Sequence, residues 1–370
     1  MKKITLLLVA FSCLFATQIF AQLTLPPNGD NQKSVFTQYM GLVSVTITYY
    51  SPDIHLPDGT DRTGKIWGQL VPYGLAPMGN IPWRAGANEN TIITFSHDVQ
   101  IEGQPLKAGS YGLHMIPGES DWTVIFSNAT AGWGSFSYKQ DEDALRVNVK
   151  SEKSEYNEWL TYEFADRKQN GCTVQLKWEN LSVPFKVSVP NGDELYLATI
   201  RDELRGFKGF VWQNFLQAAN WCANKKINLE EALGWTDRVI NQMGLKNFPS
   251  YRAKANVLVA MGKQDDANVL LDEAIKFSDA TVNVINAYGN QLIAQKKADK
   301  AIEVFKYNAE RNATNAFLVK QGLARGYSAK GEYKTALKYA QEALAAAPSS
   351  GAKIQIEGMI KKLEAGQDVN

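Results

Sequence analysis

A short loop of the sequence, WRAGANENT at 83–91, concentrates polar side chains between small residues. It carries Arg84, Asn88, Glu89 and Asn90 just before a stretch that alternates like a β-strand. A guanidinium presents a planar fork of donors, and a carboxylate accepts two of them. An Arg84–Glu89 pair would therefore either close the loop on itself or present a polar ligand site, and the sequence leaves both open.

Two further side chains could complete such a site. Trp133 stands between glycines in AGWGSF, where an exposed indole is a platform for a sugar ring and a folded-back indole is a plug for a sheet edge. His114 alternates with Leu113 and Met115, which predicts it on a sheet surface or between sheets. We call the candidate ligand-binding set the loop site: Arg84, Asn88, Glu89, His114 and Trp133.

Familiar catalytic and metal-binding spacings are missing from the sequence. His55, His97 and His114 are too far apart to suggest a metal site, and they are interpreted as ordinary polar residues. The stretch 108–112 lacks the full GxSxG pattern of a nucleophile elbow. We therefore predict no catalytic residue, no metal and no cofactor, and an enzymatic role stays open but disfavoured.

The elements that must position the loop site have a period of two. Between residues 35 and 189, short runs with one apolar face are separated by Gly, Pro, Asn and Asp. This pattern predicts an all-β antiparallel sandwich, jelly-roll-like, with Trp67 in a strand and 72–82 as a long connection. The expected strands are 43–49, 91–95, 122–126, 145–149, 160–164, 174–178 and 183–189.

Beyond residue 191 the period changes to 3.6, and small residues repeat. Ala232, Ala267, Ala301 and Ala336 are spaced 35, 34 and 35 residues apart. Residues that can turn or cap lie five positions before the last three of them: Gly262, Lys296 and Gly331. A period near 34 predicts all-α tetratricopeptide-like helical hairpins, and 323–348 resembles that repeat almost position by position.

The same register defines a polar stripe along the repeats. Eleven residues before the last three alanines, and four residues before those, lie positions that face the peptide-binding groove in this repeat class. We call these six residues the groove stripe: Arg252, Asn256, Asn286, Asn290, Gln321 and Arg325. The stripe predicts that the repeats hold a protein or peptide partner, and a merely solvated face is the alternative.

Several separated blocks of the first half fall in a recognisable order. They are GKIWGQLVPYG, WRAGANENTIITFSHD, LKAGSYGLHMIPG, DWTVIFS and ALRVNV. Over about 35–189 the chain resembles a bacterial family known only as domain of unknown function 2911. The resemblance implies the identity of the domain and implies no chemistry.

The start of the chain and its charge indicate where the protein works. Lys2 and Lys3 precede an apolar stretch, so residues 1–22 are predicted to be a signal peptide, with cleavage before Gln22 and a periplasmic or secreted product. No later segment is apolar enough to span a membrane. The balance of 39 basic against 38 acidic residues argues against a nucleic-acid partner.

The predicted organisation is a signal peptide at 1–22, a β-sandwich at 23–190, a linker and helix start at 191–200, and the helical repeats at 201–370. The leading functional hypothesis is an exported periplasmic binding or scaffold protein whose repeats hold a protein partner. The alternative is a glycan-binding module or enzyme that uses the loop site. Whether Cys172 and Cys222 are buried free thiols or form a disulfide is left open.

Overall fold

The computed structural model describes residues 31–370, and the expected signal peptide lies outside this range. The chain divides into two compact units, one up to Tyr196 and one from Leu197 to Asn370. Antiparallel β-sheets make up the first unit, and ten α-helices follow within the described range. The predicted fold class is therefore confirmed. None of the helices between residues 31 and 370 combines the length and apolarity that a membrane crossing requires.

Ten strands form two sheets in the first unit. Every paired strand is antiparallel, in the orders β1-β2-β3-β6-β7-β8 and β5-β4-β10-β9. The strands are β1 (Gln32–Met40), β2 (Val43–Ser51), β3 (Thr91–Phe95), β4 (Val99–Ile101), β5 (Gln104–Leu106), β6 (Gly109–Ile116), β7 (Asp121–Ser127), β8 (Asp143–Lys150), β9 (Glu152–Lys168) and β10 (Gly171–Ser188).

The two sheets share one hydrophobic core. In β2 every second residue is buried, because successive side chains of a strand point to opposite faces. Val45 and Leu113 of the six-stranded sheet belong to the same buried cluster as Leu176 and Phe185 of the four-stranded sheet. The inner faces of the sheets therefore pack together, as the period of two predicts.

One strand is longer than the sequence indicated. We expected separate strands at 174–178 and 183–189, and the structure instead has the single strand β10, which pairs with β9 through register irregularities around Glu179. Glu179 takes the positive φ of 55° that marks a local bulge. In the sequence, the polar residues between the two apolar runs predict a turn. In the structure they form a bulge within one continuous strand.

Trp67 is another difference from the sequence prediction. It lies in the connection between β2 and β3 and makes only an isolated bridge to Val71. Its ring is 5.8 Å from that of Trp83, 5.3 Å from Trp122 and 5.8 Å from Trp178. The indole is thus packed against the core as expected, although no strand places it there.

The helices follow one another with short connections. They are α1 (Gly192–Arg205), α2 (Trp212–Lys225), α3 (Leu229–Asp237), α4 (Phe248–Ala260), α5 (Gln264–Ala274), α6 (Val282–Ala294), α7 (Ala298–Arg311), α8 (Ala316–Ala329), α9 (Tyr333–Ala345) and α10 (Ser350–Glu364).

The repeat predicted from alanine spacing is present in the packing. Ala232, Ala267, Ala301 and Ala336 are all 0% exposed. Between α4 and α5, α6 and α7, and α8 and α9, the turn residue has a positive φ, of 79° at Gly262, 61° at Lys296 and 84° at Gly331. Each hairpin thus repeats the same buried small residue and the same left-handed turn.

A slot lined by glycines joins three of the helices. Phe305 of α7 is fully buried, and a Cβ added at Gly289 of α6 would lie 2.4 Å from its ring. A Cβ at Gly322 of α8 would lie 2.7 Å from the same ring, and one at Gly326 would lie 2.9 Å from it. These glycines let the neighbouring helices close around the phenyl ring.

Cys172 and Cys222 are both buried free thiols. Burial raises the pKa of each to about 11, so both stay protonated at neutral pH. The interpretation as unreactive buried cysteines fits this environment.

Candidate functional site

The loop site lies on the outer face of the six-stranded sheet. Leu113 and Met115 of β6 point into the core, so His114 between them faces the other way. It is nevertheless only 2% exposed, because the segment 128–139 between β7 and β8 covers it. Its Nδ1 lies 2.8 Å from Ser135 Oγ, and its ring centroid lies 5.2 Å from that of Tyr138.

Arg84 reaches from its loop to the covering segment. Its Nη1 donates to the backbone oxygen of Asn88 at 2.5 Å, and its Cζ lies 5.2 Å from the centre of the Phe136 ring. A Cβ added at Gly134 would lie 2.2 Å from Cζ, and Gly134 also has a φ of 62°. Both facts require glycine at this position. The guanidinium therefore rests against the bare backbone of the covering segment.

Glu89 pairs with Lys33 instead of Arg84. Its Oε2 lies 3.4 Å from Lys33 Nζ, and both side chains are about half exposed. Asn88 Oδ1 accepts a hydrogen bond of 3.2 Å from Asn31 Nδ2. The Arg84–Glu89 pair considered from the sequence is thus not formed. The exposed carboxylate of Glu89 pairs with Lys33 of β1 instead. The backbone of Asn88 takes the place of the glutamate as the acceptor for Arg84.

The electrostatics beside Arg84 favour a neutral histidine. Burial, and secondarily the charge of Arg84, lowers the pKa of His114 to about 4. Burial also lowers the pKa of Arg84 itself, with no opposing effect from a carboxylate. Among the residues that the structure describes, Arg84 has no salt-bridge partner. The positive charge at this site is therefore uncompensated by an acidic side chain.

Asn90 completes the polar group beneath the covering segment. It is 6% exposed, its Nδ2 donates to Ala129 O at 3.3 Å, and its Oδ1 is buried without a hydrogen-bond partner. A Cβ added at Gly112 would lie 2.5 Å from Asn90 Nδ2 and 3.2 Å from His114 Nε2. The amide and the imidazole consequently converge above Gly112, where only a glycine leaves room for both.

Two aromatic side chains stand exposed next to this group. Trp133 is 61% exposed and Phe136 is 67% exposed. The indole is thus presented to solvent and not folded back as a plug. The structure therefore brings Arg84, His114 and the Trp133 segment together, while Glu89 is held apart by Lys33.

A second network anchors the covering segment, and the sequence analysis missed it. Tyr138 donates to Asp143 Oδ2 at 2.8 Å, and Arg146 Nε donates to the same oxygen at 2.5 Å. Burial, then the hydrogen bond and charge of Asp143, raises the pKa of Tyr138 to about 12. The available signal was AGWGSFSY at 131–138, which carries three aromatic residues in a glycine-rich loop.

His55 belongs to a different polar cluster, which fastens the β2–β3 connection to β9. Its Nδ1 lies 2.9 Å from Glu158 Oε2, which also accepts 2.6 Å from Tyr156 Oη. Burial acts to raise the pKa of Glu158, but the bonds from Tyr156 and His55 outweigh it and lower the pKa to about 2. In residues 31–370, no group of three His, Cys, Asp or Glu side chains is arranged to hold a metal ion.

The groove stripe begins on α4 with two exposed residues. Arg252 lies with its Cζ 6.0 Å from the centre of the Phe248 ring. Asn256 Nδ2 donates to Asn220 Oδ1 of α2 at 2.9 Å. Both residues are exposed. They remain accessible to a ligand that lies along α4.

On α6 one residue of the groove stripe is hydrogen-bonded to neighbouring helices. Asn286 Nδ2 donates to Leu318 O of α8 at 2.9 Å, and its Oδ1 accepts from Asn308 Nδ2 at 2.8 Å. Asn290 is half-buried, and its Oδ1 is buried without a hydrogen-bond partner. Asn286 thus joins helices, whereas Asn290 keeps an unused acceptor.

On α8 the stripe is in contact with the last residues of the sequence. Arg325 Nε donates to Asn370 Oδ1 at 3.1 Å, and Asn370 Nδ2 donates to Arg325 O at 3.1 Å. Ser328 Oγ donates to Asp368 Oδ1 at 2.7 Å and accepts from Val369 N at 3.0 Å. Gln321, one turn before Arg325, is half-buried. A segment without helix or strand, 368–370, therefore contacts the same helix that carries the end of the stripe.

Comparison with known proteins gives one family match and several similar solved structures. Residues 31–187 match the model of a family described as "Protein of unknown function (DUF2911)". The resemblance inferred from the sequence blocks is thereby confirmed for the first unit. No curated protein matches the chain.

The helical part is similar to solved tetratricopeptide (TPR) proteins. YrrB, described as "a TPR protein with an unusual peptide-binding site", is 18% identical, with a TM-score of 0.32 over 45% of this chain and 83% of that one. MamA of AMB-1 is 18% identical, with a TM-score of 0.29 over 43% of this chain and 87% of its own. MamA of MSR-1 is also 18% identical, with a TM-score of 0.28 over 42% and 95% of the two chains.

Proposed function

We propose that the protein is an exported scaffold whose helical repeats hold an extended segment of a protein partner. The observation that supports this most directly is the segment 368–370, which lies without helical structure on α8 and bonds to Arg325 and Ser328. A non-helical stretch of polypeptide thus contacts the end of the groove stripe, which supports the proposal.

The contacts are of a kind that a segment from another protein could make. Ser328 uses one hydroxyl both to accept from a backbone N–H and to donate to a carboxylate. Val369 packs against the apolar cluster formed by α8, α9 and α10. The ligand that fits is therefore an extended segment with an acidic or amide side chain on either side of an apolar one.

The segment is held loosely enough to be exchanged. Asp368 and Asn370 are exposed, and Val369 is only half-buried. A hydrogen bond contributes about 0.5–1.5 kcal/mol to net stability, so the few hydrogen bonds of this segment give it only modest stability. A partner that makes the same bonds and also engages further residues of the groove stripe on α4 and α6 would therefore replace it.

Export rests on the sequence features of residues 1–22 and is part of this proposal. The near-neutral charge of the chain agrees with a protein partner better than with a polyanion. A signal peptide of this type delivers the protein across the inner membrane, so the partner is sought among periplasmic or secreted proteins.

The experiment uses a fluorescent peptide with the sequence EAGQDVN, which is residues 364–370. In the full chain, Asp368→Ala with Asn370→Ala releases the internal segment, and we expect the labelled peptide to bind this variant more tightly than the wild type. Adding Arg325→Ala and Ser328→Ala should abolish that binding, because both contact residues are then lost. Anisotropy titrations measure the dissociation constants.

A scrambled peptide and the variant Lys353→Ala, which changes an exposed residue of α10, serve as controls. Thermal unfolding verifies that each variant is folded. If the released variant fails to bind the peptide, or binds the scrambled one equally well, then α8 is not a receptor for extended segments and the proposal is wrong.

A further inference from the structure

We propose that the outer face of the six-stranded sheet carries a binding site for an acidic sugar, with Arg84 holding the carboxylate and the aromatic residues of 133–136 stacking on the ring. This site lies in the first unit. The proposal does not depend on the peptide binding proposed for the repeats, so either proposal can fail without the other.

Arg84 supplies a cation whose hydrogen-bonding capacity is largely unused. A guanidinium has five N–H donors. Within residues 31–370, Arg84 uses its donors for one hydrogen bond, to the backbone oxygen of Asn88. Half-burial of this group without an acidic neighbour is costly, and a planar carboxylate that accepts two parallel hydrogen bonds would relieve the cost. The geometry therefore favours a ligand carboxylate over a neutral ligand.

The acidic side chains nearby are committed to other cations. Glu89 pairs with Lys33, and Asp143 pairs with Arg146 while accepting from Tyr138. His114, the buried group influenced by Arg84, is neutral at pH 7 because its pKa is about 4. No described carboxylate competes for Arg84, so an incoming anion meets a net positive site.

The aromatic neighbours indicate that the anion is carried on a ring. Trp133 and Phe136 are both more than half exposed, on either side of the glycine that touches the Arg84 guanidinium. Exposed aromatic faces attract the C–H face of a sugar by dispersion and by excluding water. A short acidic peptide offers the carboxylate but lacks a flat apolar face for these rings.

The cation and the aromatic faces are combined within two adjacent loops. Arg84 belongs to the loop before β3, and Trp133 and Phe136 belong to the segment between β7 and β8. A ligand that carries a carboxylate on a ring can therefore contact both loops at once.

The test is calorimetry on the full chain with three probes: trigalacturonate, the neutral sugar trigalactose, and a triglutamate peptide. We expect trigalacturonate to bind wild type and to bind Arg84→Gln at least about tenfold more weakly, the factor equivalent to about 1.4 kcal/mol. Lys168→Gln removes a charge from an exposed position of the same unit and should leave the affinity unchanged.

Trp133→Ala is a second variant, since an exposed indole can be removed without affecting folding, and it should also weaken binding. Equal binding of trigalactose would show that the carboxylate is not recognised, and equal binding of triglutamate would show that the ring is not. Unchanged affinity in Arg84→Gln, or no binding of trigalacturonate to wild type, would likewise overturn the proposal.

Discussion

Lys296 occupies a backbone position that suits glycine better than any other residue. Its φ of 61° is left-handed, and the equivalent turns of the neighbouring repeats use Gly262 and Gly331 at 79° and 84°. For a residue with a Cβ this conformation costs roughly 1–2 kcal/mol. The repeat therefore carries local strain in its middle hairpin that its neighbours avoid.

We expect Lys296→Gly to raise the free energy of unfolding by about 0.5–1 kcal/mol. The gain is the relieved strain minus the larger backbone entropy that glycine loses on folding, roughly 0.5–1 kcal/mol. Gly331→Ala is the matched reverse change, and it should lower the free energy by about 1 kcal/mol. Urea denaturation at 25 °C measures both. A loss of stability in Lys296→Gly would show that the lysine side chain compensates for its backbone.

His114 makes the first unit sensitive to acid. Its folded pKa of about 4 lies below the value of 6.5 for a free histidine. As pH falls from 6.5 to 4, His114 becomes protonated in the unfolded chain but not in the folded chain. The free energy of unfolding therefore decreases across this window, and this contribution levels off below pH 4. A difference of 6.5 − 4 = 2.5 units corresponds to about 3 kcal/mol.

We expect His114→Asn to remove most of this slope while costing some stability at pH 7 through altered packing. The measurement is the free energy of unfolding in urea at several pH values between 4 and 7. Gln104→Asn, which changes an exposed side chain of the same unit that does not titrate, is the control and should keep the wild-type slope. Equal slopes in wild type and His114→Asn would contradict the assignment.

How far the sequence predicted these side chains depends on how local their partners are. The concentration of polar residues around Arg84 is visible in one loop, and the face of His114 follows from alternation with Leu113. The pairing of Glu89 with Lys33 joins residues 56 positions apart, and it exists only once β1 has formed. The contact between Phe136 and Arg84 could not be predicted from the sequence, because it forms only when the fold brings their two loops together.

At the scale of elements, local periodicity explains both the successes and the failures. The alanine spacing predicted the helical hairpins because each small residue is needed where two helices touch, and the register is set within one repeat. The division of β10 was wrong because Glu179 interrupts the apolar pattern without ending the strand. Whether a polar break is a turn or a bulge depends on the partner strand β9, which the pattern of β10 does not contain.

The groove stripe shows the same limit for helices. Register alone places Asn286 and Asn290 on one helical face, four residues apart. Only the neighbouring helices decide that Asn286 bonds to Leu318 and Asn308, whereas Asn290 Oδ1 has no partner. A recurring asparagine is therefore a sign that an amide is needed, and packing and ligand binding are both reasons for it.

For the whole molecule, the proposal of export makes a prediction about its first residue. We expect the mature protein to begin at Gln22, because the apolar region 4–15 follows Lys2 and Lys3 and the small residue Ala21 stands just before the cleavage point. Mass spectrometry of the exported protein gives its N-terminus. Ala21→Arg places a large charged residue before the cleavage point and should leave the precursor uncut. Retention of Met1 in wild type, or an acylated Cys13 at the N-terminus, would contradict the prediction.

If the repeats bind a partner as proposed, the docked segment 368–370 also sets a threshold for the affinity that this partner needs. A few residues join this segment to α10. Such a short tether gives the segment an effective concentration at its own binding site of the order of millimolar. A partner present at about 1 µM would then have to bind roughly a thousandfold more tightly than the segment to occupy the site half of the time. Under that proposal, weakly binding proteins do not displace the segment, and only partners that contact several hairpins at once do.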